Sequence, residues 1–453
     1  MYDVSIIIPT YNRCSLLEMT LKSIANQDLK NISMEVLVID DGSVDNTPKL
    51  TEEYKQVISN LKYFYNKHDR YRVAYVRNIG IRNANGKIII FVDSGMVLCK
   101  DYVFQHYRSH AENENAAVIG SIYGYTVSLE DKAFSKIIDL TDIDKTFSCV
   151  EAKTEYMDVR MESFRYHSYN ISNLMAPYTF FWTGNVSVQR RLILEIGGFD
   201  EKFIGWGVED IDFGYRLFLN GAKYILNLRA KSIHIPHELP VDVKDVLDKD
   251  RGIDNKIYFH MKYKNIDSEL FVTGCQDLFY NRDLYTIYIN SINRFDFRCI
   301  KGTGIIEEPL NETTIIYGAG DGSILRFCEG PTVLEYEKSK YIFLKDNFQY
   351  NKVYNSIGTM TFFTDKQYNV CLITDYWIYL NDYLLLNLIK ESLRISDTVL
   401  ILFQISIGGT DCIQKIDLSK VTNCLDSLAI KYIPYEFTEY RNTFYYLKFS
   451  EMQ

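Results

Sequence analysis

Short apolar runs that each stop at a polar turn, with amphipathic stretches between them, constrain this chain more than any other feature. Val4 to Ile8 is such a run. It ends at Pro9-Thr10, and Leu16, Leu17, Leu21 and Ile24 follow at helical spacing. Glu35 to Ile39 is a second run, stopped by Asp40-Asp41-Gly42-Ser43. Thr47 to Leu61 reads as a helix, Leu61 to Tyr65 as a short strand, Val73 to Asn85 as a helix and Ile88 to Val92 as a further strand. This alternation predicts an α/β domain around a mainly parallel sheet. Ligands of such sheets sit beyond the carboxyl ends of the strands, so Thr10, Asp41 and Asp93, each following a run, are expected to converge on one crevice. The stretch from Tyr123 to Pro177 is less regular and rich in charge and Tyr, and reads as an insertion over that crevice. A motif-rich block then runs from Phe180 to His237, and the charged segment Val241 to Lys264 reads as a helix that closes the domain.

With 453 residues the chain is long enough for two or three domains, each with its own core. The expected division is a first domain over 1–265 and a second over 266–453. A net charge of −9 argues against non-specific nucleic-acid binding, which needs a basic face to neutralise phosphates. Nine cysteines are scattered singly with no CxxC pair, a pattern of reduced thiols that points to the cytoplasm. The N-terminus enters a strand-like run at once, with no signal-peptide pattern, and no apolar stretch is long enough to span a bilayer. Peripheral contact with the inner face of a membrane stays open.

The turns carry an ordered set of motifs. Ser5-Ile-Ile-Ile-Pro9-Thr10-Tyr11-Asn12-Arg13 is followed by Val36-Leu-Val-Ile-Asp40-Asp41-Gly42-Ser43-Val-Asp45-Asn-Thr47, then Arg77-Asn78-Ile-Gly80, Phe91-Val-Asp93-Ser94-Gly95, Trp182-Thr-Gly184-Asn185 and Gly197-Gly198-Phe199-Asp200. Gly205-Trp206-Gly207-Val-Glu209-Asp210-Ile-Asp212 completes it. Over about residues 3 to 265 this set resembles the family 2 inverting glycosyltransferases with a GT-A fold. The later block is most similar to bacterial chondroitin polymerases and to galactosyltransferases.

The resemblance implies a donor of the UDP-sugar type, with Asp41 accepting from the uracil imide and Pro9, Thr10 and Tyr11 forming the other wall of the base pocket. Arg77 and Asn78 would border the diphosphate, and Asp93 and Ser94 would lie beside it. A divalent cation, Mn²⁺ or Mg²⁺, would offset the charge that grows on the departing diphosphate. The family pattern there is Asp-X-Asp, whereas this chain has Asp93-Ser94-Gly95, so the second carboxylate is missing. Asp93 and His234 are the expected metal ligands, with His237 as the alternative to His234. An inverting transfer also needs a base for the acceptor hydroxyl. The resemblance gives that role to Asp210, with Glu209 binding acceptor or donor sugar. Trp206 would offer a flat wall to a sugar ring, and Gly184 and Asn185 would bring backbone close to the donor. The acceptor would be a glycan, a lipid-linked molecule or a small molecule.

In the second domain, Thr313-Thr-Ile-Ile-Tyr-Gly318-Ala-Gly320-Asp-Gly322 runs from a strand into a glycine-rich turn, and Val333-Leu-Glu335 closes the next strand. This resembles a class I methyltransferase, in which the glycine loop would meet S-adenosylmethionine and Glu335 the ribose hydroxyls. The helix after the loop is short, Ile316 stands where an acid is common, and Asp375 and Tyr376 follow a further strand. The alternatives are a structural Rossmann-like domain, a bifunctional glycosyltransferase and methyltransferase, and a catalytically inactive nucleotide-sugar-binding protein.

Overall fold

A computed structural model describes residues 2–172, 174–238, 252–274, 310–328, 330–374, 377–378, 380–406, 419–439 and 442–450. The chain forms two compact units, Met1–Tyr258 and Phe259–Gln453.

The first unit holds β1 (Tyr2–Thr10), β2 (Met34–Asp40), β3 (Leu61–Tyr65), β4 (Gly86–Phe91), β5 (Met96–Leu98), β6 (Ala116–Tyr123), β7 (Val186–Gln189) and β8 (Lys223–His234). They make one sheet in the order β3-β2-β1-β4-β7-β6-β8-β5. The strands β3, β2, β1 and β4 are mutually parallel. β7 runs against both β4 and β6, and β5 runs against β8, so the sheet is mixed. The apolar runs are continuous because both faces of the sheet are covered. Ile6, Ile8, Val36 and Val38 pack into one core cluster with Leu17 and Leu21 of helix Cys14–Ala25. Ile7, Leu37, Ile39 and Ile89 are equally inaccessible on the other face.

Three sequence expectations differ in extent. The helix expected over Thr47 to Leu61 stops at Tyr54, because Val57 and Ile58 turn back onto the Tyr54 carbonyl and Ile58 enters the core just before β3. The region from Tyr123 to Pro177 carries helices Lys132–Ile137, Ile143–Glu151 and Met161–Tyr166. A buried ion pair anchors it. Arg160, wholly inaccessible, bonds Asp158 and also donates to the carbonyls of Gly120 and Phe180. Asp158 in turn accepts from the Ile122 amide of β6. Of the helix expected over Val241 to Lys264, helix Gly252–Tyr263 is seen, and 241–251 lie outside the described residues.

The second unit contains β9 (Thr314–Tyr317), β10 (Thr332–Leu334), β11 (Lys352–Tyr354), β12 (Tyr368–Ile373), β13 (Ser396–Ser406), β14 (Tyr432–Glu439) and β15 (Asn442–Phe449). Its sheet has the order β11-β10-β9-β12-β13-β15-β14, parallel through β13 and antiparallel at β15 and β14. The order reverses between β9 and β12, the switch point of an open α/β sheet. Asp375 and Tyr376 lie outside the described residues. Among the described residues no helix is long and apolar enough to cross a membrane.

Candidate active site

Strand register brings the motif residues together. Thr10 pairs with Asp40 at the carboxyl ends of β1 and β2, and the Asp41 amide donates to the Thr10 carbonyl. Val92 continues from β4 by bonding Ile7, and the Ser94 hydroxyl donates to the Pro9 carbonyl at 3.0 Å. One pocket at these ends is lined by Pro9, Thr10, Tyr11, Arg13, Asp41, His68, Tyr71, Arg72, Val73, Val76, Arg77, Asp93 and Ser94. Helix Val73–Asn83 presents its first turn to this pocket through Val73, Val76 and Arg77. Unpaired amides at a helix start favour anions, and Arg13, Arg72 and Arg77 add positive charge on the same walls.

Asp40 holds the turn, as it accepts from the Ser43 amide at 2.8 Å and from Tyr63 Oη at 2.6 Å. Asp41 turns into the pocket wall, where Asn66 Nδ2 lies 2.7 Å from Oδ1 and His68 Nδ1 lies 3.1 Å from Oδ2. Burial pushes the Asp41 carboxyl above its ordinary range, against those hydrogen bonds and the charges of His68 and Arg72.

Arg77 is buried and ties two acids together. It donates to Asp93 Oδ1 at 2.9 Å and to Glu209 Oε1 at 2.8 Å. Glu209 and Asp210 open helix Glu209–Leu219, and the residue before them, Val208, has φ of +75°. A β-branched residue is rarely found in that left-handed region. Together with Gly205 and Gly207, each at +85°, it turns the chain sharply so that the two acids enter the crevice. Trp206 stands 43% exposed on this loop, free to offer a ring face, while its carbonyl and that of Gly207 accept from Asn255. Burial, and then the charge of Glu209, raise the Asp210 carboxyl well above the usual carboxylate range, and Arg77 acts the other way.

β8 ends at His234, opposite Met96 of β5, and the Ile235 amide donates to the Gly95 carbonyl. That register carries His234 to the Asp93 turn. Gly95, at the place of the missing second acid, has φ of +99°, a backbone conformation that residues with a Cβ rarely adopt. The turn therefore suits glycine rather than aspartate. His234 is kept neutral at neutral pH, lowered to about 4 by burial first and the neighbouring His237 second, with Asp93 opposing. Neutral imidazole is the form that ligates metals. Among the described residues no three His, Cys, Asp or Glu form a ready-made cage. A divalent cation held chiefly by water and substrate phosphates needs only one or two protein ligands, the share that Asp93 and His234 would supply.

Two amides face elsewhere. Asn78 spends its side chain on the Phe199 backbone, accepting from its N–H and donating to its carbonyl, and on Glu201. Asn185 is fully inaccessible. Its Nδ2 donates to Ser121, Ala230 and Ser232, and Tyr102 and His106 sit on its Oδ1. Asn185 thus knots β6, β7 and β8 together instead of facing the pocket. Its neighbour Gly184 does face Asp93, whose Oδ2 would lie 3.7 Å from a Cβ placed there. Arg13, quoted only as the last residue of its motif, joins the pocket, and so do His68, Tyr71 and Arg72, which were not singled out in the sequence. The cluster of basic residues just ahead of helix Val73–Asn83 was the signal available for the last three.

Among the described residues, five buried polar atoms around this crevice have no hydrogen-bond partner: Thr10 Oγ1, Arg72 Nε, Arg77 Nε, Glu209 Oε2 and His234 Nδ1. A buried polar atom without a protein partner bonds either ordered water or a ligand.

Residues 5–196 match glycosyl transferase family 2, and residues 165–238 match the N-terminal domain of galactosyltransferase. An uncharacterized glycosyltransferase of Bacillus subtilis (strain 168), YfnE, is 32% identical over 290 residues, 58% of this chain and 71% of that protein. The chain belongs to glycosyl transferase family 2. Other family relatives include validoxylamine A glucosyltransferase of Streptomyces hygroscopicus subsp. jinggangensis (strain 5008), 34% identical over 52% of this chain and 56% of that protein. Chondroitin synthase of Escherichia coli is 30% identical over 68% of this chain and 45% of that protein. The chain thus spans about half the length of these two relatives. The family 2 match covers β1 through β7, and the galactosyltransferase match covers the loop and helix that carry Glu209 and Asp210.

Proposed function

We propose that the first unit is an inverting glycosyltransferase of GT-A type that moves a hexose from a UDP-sugar to a hydroxyl of a glycan, lipid-linked or small-molecule acceptor. The observation that carries this reading is the pocket at the strand ends where Asp41, Arg77 and Asp93 converge, with Arg77 bonded on to Glu209 at the helix start it shares with Asp210. The glucosyltransferase relative and the galactosyltransferase match support a hexose donor.

In this reading Asp41 reads the base, and Arg13, Arg72, Arg77 and the start of helix Val73–Asn83 receive the diphosphate. Trp206 offers a ring face to a sugar, and Glu209 Oε2 accepts from a sugar hydroxyl. Asp210 Oδ takes the acceptor proton as the acceptor oxygen attacks C1 of the donor sugar and the C1–O bond to the diphosphate breaks. Asp93 and His234 would hold a divalent cation, which supplies positive charge beside the departing diphosphate. Arg77 holds Asp93 and Glu209 at fixed separation throughout.

The second unit is read as a Rossmann-like unit in which the glycine loop serves structure. Its geometry does not fit a cofactor seated on Glu335. The Glu335 side chain is inaccessible, with Oε2 taken by the Gly320 amide at 2.9 Å. The Gly318 amide bonds Leu334, and the Gly322 amide bonds Ala319. A Cβ at Gly322 would meet Phe348 at 2.5 Å, so packing accounts for that glycine without a ligand.

The test is release of UDP from a panel of UDP-hexoses, with and without saccharide acceptors. Turnover with at least one donor is expected. Absence of both turnover and UDP binding across the panel would overturn the reading.

A further inference from the structure

Segment 66–68 occupies the place that the base reader would offer to a nucleobase. The imidazole of His68 lies on the Tyr11 ring, centroids 4.1 Å apart and planes 12° from parallel. The same ring places Nδ1 3.1 Å from Asp41 Oδ2. Asn66 Nδ2 takes Asp41 Oδ1 at 2.7 Å, so both oxygens of the carboxylate are engaged by one short segment. Asp41 is left only 5% exposed. The segment is seated on purpose-built backbone. The Asn66 amide donates to the Asp40 carbonyl, Arg72 donates to the Lys67 carbonyl at 2.8 Å, and Gly42, with φ of +90°, leaves room where a Cβ would come within 2.5 Å of the His68 amide.

A flat, nitrogen-bearing ring that stacks on Tyr11 and bonds Asp41 makes the two contacts expected of uracil. We propose that His68 is an internal stand-in for the base: it closes the nucleobase seat of the free protein and must swing off Tyr11 and Asp41 before a uridine nucleotide can enter. This inference rests on the reading of Asp41 as the base reader. A ring centroid distance of 4.1 Å leaves no room for a base between Tyr11 and His68, so the two rings compete for one face. Apparent affinity is then the intrinsic affinity multiplied by the fraction of molecules with the seat open. The exchange also makes entry selective, since only a ligand that replaces both the stack and the hydrogen bond recovers what His68 gives up.

The test is calorimetric binding of UDP, uridine and inorganic pyrophosphate to the full chain and to His68→Ala, His68→Phe and Asp41→Ala. His68→Ala is expected to tighten UDP and uridine by about three- to tenfold, the scale of one aromatic stack, and to leave pyrophosphate unchanged. His68→Phe keeps the stack without the bond to Asp41 and is expected to fall between the two. In the wild type, the His68 ring proton resonances should lose the Tyr11 ring-current shift on adding UDP but not pyrophosphate. Weaker or unchanged UDP binding in His68→Ala, with His68 resonances unmoved by UDP, would overturn the stand-in and make His68 a fixed wall. The base reading fails separately, if Asp41→Ala leaves uridine and UDP affinity untouched.

Discussion

Arg77 Nη1 donates to Glu209 Oε1 at 2.8 Å, joining the helix after β3 to the start of the helix that carries the acids, 132 residues later. The same guanidinium reaches Asp93. One cation thus sets the spacing between the turn expected to meet the diphosphate and the turn expected to meet the sugars. Removing it would leave two carboxylates facing each other with no counter-charge. Arg77→Met is therefore expected to destabilise the first unit by about 3 kcal/mol, the cost of stripping one partner from a buried ion pair. Urea unfolding monitored by Trp fluorescence checks this, and a change below about 0.5 kcal/mol, the range of ordinary surface substitutions, would show that Asp93 and Glu209 repel little.

Asp210→Asn keeps size and shape but removes the basic lone pair. It is expected to lower kcat by about 100- to 10,000-fold, the usual contribution of a positioned base. UDP-sugar affinity should be nearly unchanged. A variant with more than about a tenth of wild-type kcat, where chemistry limits the rate, would exclude Asp210 as the base.

The pH profile follows from the raised Asp210 carboxyl. A base works only when ionised, so activity is lost as pH falls through its folded-state value. Because burial and Glu209 both raise that value, the acid limb of kcat/KM is expected well above the ordinary carboxylate range near 4. Glu209→Gln removes the second of these causes and should move the limb to lower pH. A limb that stays put in Glu209→Gln would place the titration elsewhere.

Excess chelator is expected to abolish transfer, with Mn²⁺ or Mg²⁺ restoring it. His234→Ala should raise the Mn²⁺ concentration needed for half activity at least tenfold, the usual scale for altering a metal site. The same metal dependence in His234→Ala but not in His237→Ala would move the ligand to His237.

In the second unit, burial raises the Glu335 carboxyl to about 7. The folded state then keeps a proton that the unfolded chain releases near pH 4.5, so stability falls as pH rises from about 4.5 to about 7 and levels beyond. Glu335→Gln retains an oxygen for the Gly320 amide and removes the charge. It should stabilise this unit by on the order of 2 kcal/mol at pH 8 and by little at pH 4.5. Thermal unfolding at the two pH values checks this. Calorimetry with millimolar S-adenosylmethionine is expected to show no binding, and a clear isotherm would reopen the loop as a cofactor site.

Strands β1, β2 and β4 were legible because each is an apolar run with a polar stop, a pattern that needs no tertiary information, whereas β8, with Lys223, Asn227, Arg229 and Lys231 along it, has no such run. The stops at Thr10, Asp41 and Asp93 pointed at one crevice for the same reason, since parallel strands align their ends. Direction of a side chain was not legible. Asn78 and Asn185 stand in motifs beside pocket residues, yet each satisfies backbone groups dozens of residues away. Nothing in local spacing distinguishes an amide that knots strands from one that meets a ligand. His68 was missed because its segment has no periodicity, and its place depends on β2 and β3 lying side by side. The pair Asp158 and Arg160, two residues apart in a charged stretch, looks like surface until the Gly120 and Phe180 carbonyls are seen to close around it.

Val208 leaves a mark on how this protein could be improved. A left-handed β-branched residue costs on the order of 1–3 kcal/mol, which the fold recovers elsewhere. A library selected purely for heat resistance would therefore be drawn to position 208, where glycine or asparagine relaxes the backbone. The same relaxation would let the start of helix Glu209–Leu219 wander and blur the aim of its first two acids. The hardiest clones from such a selection would be among the slowest, a trade-off localised to a single peptide unit.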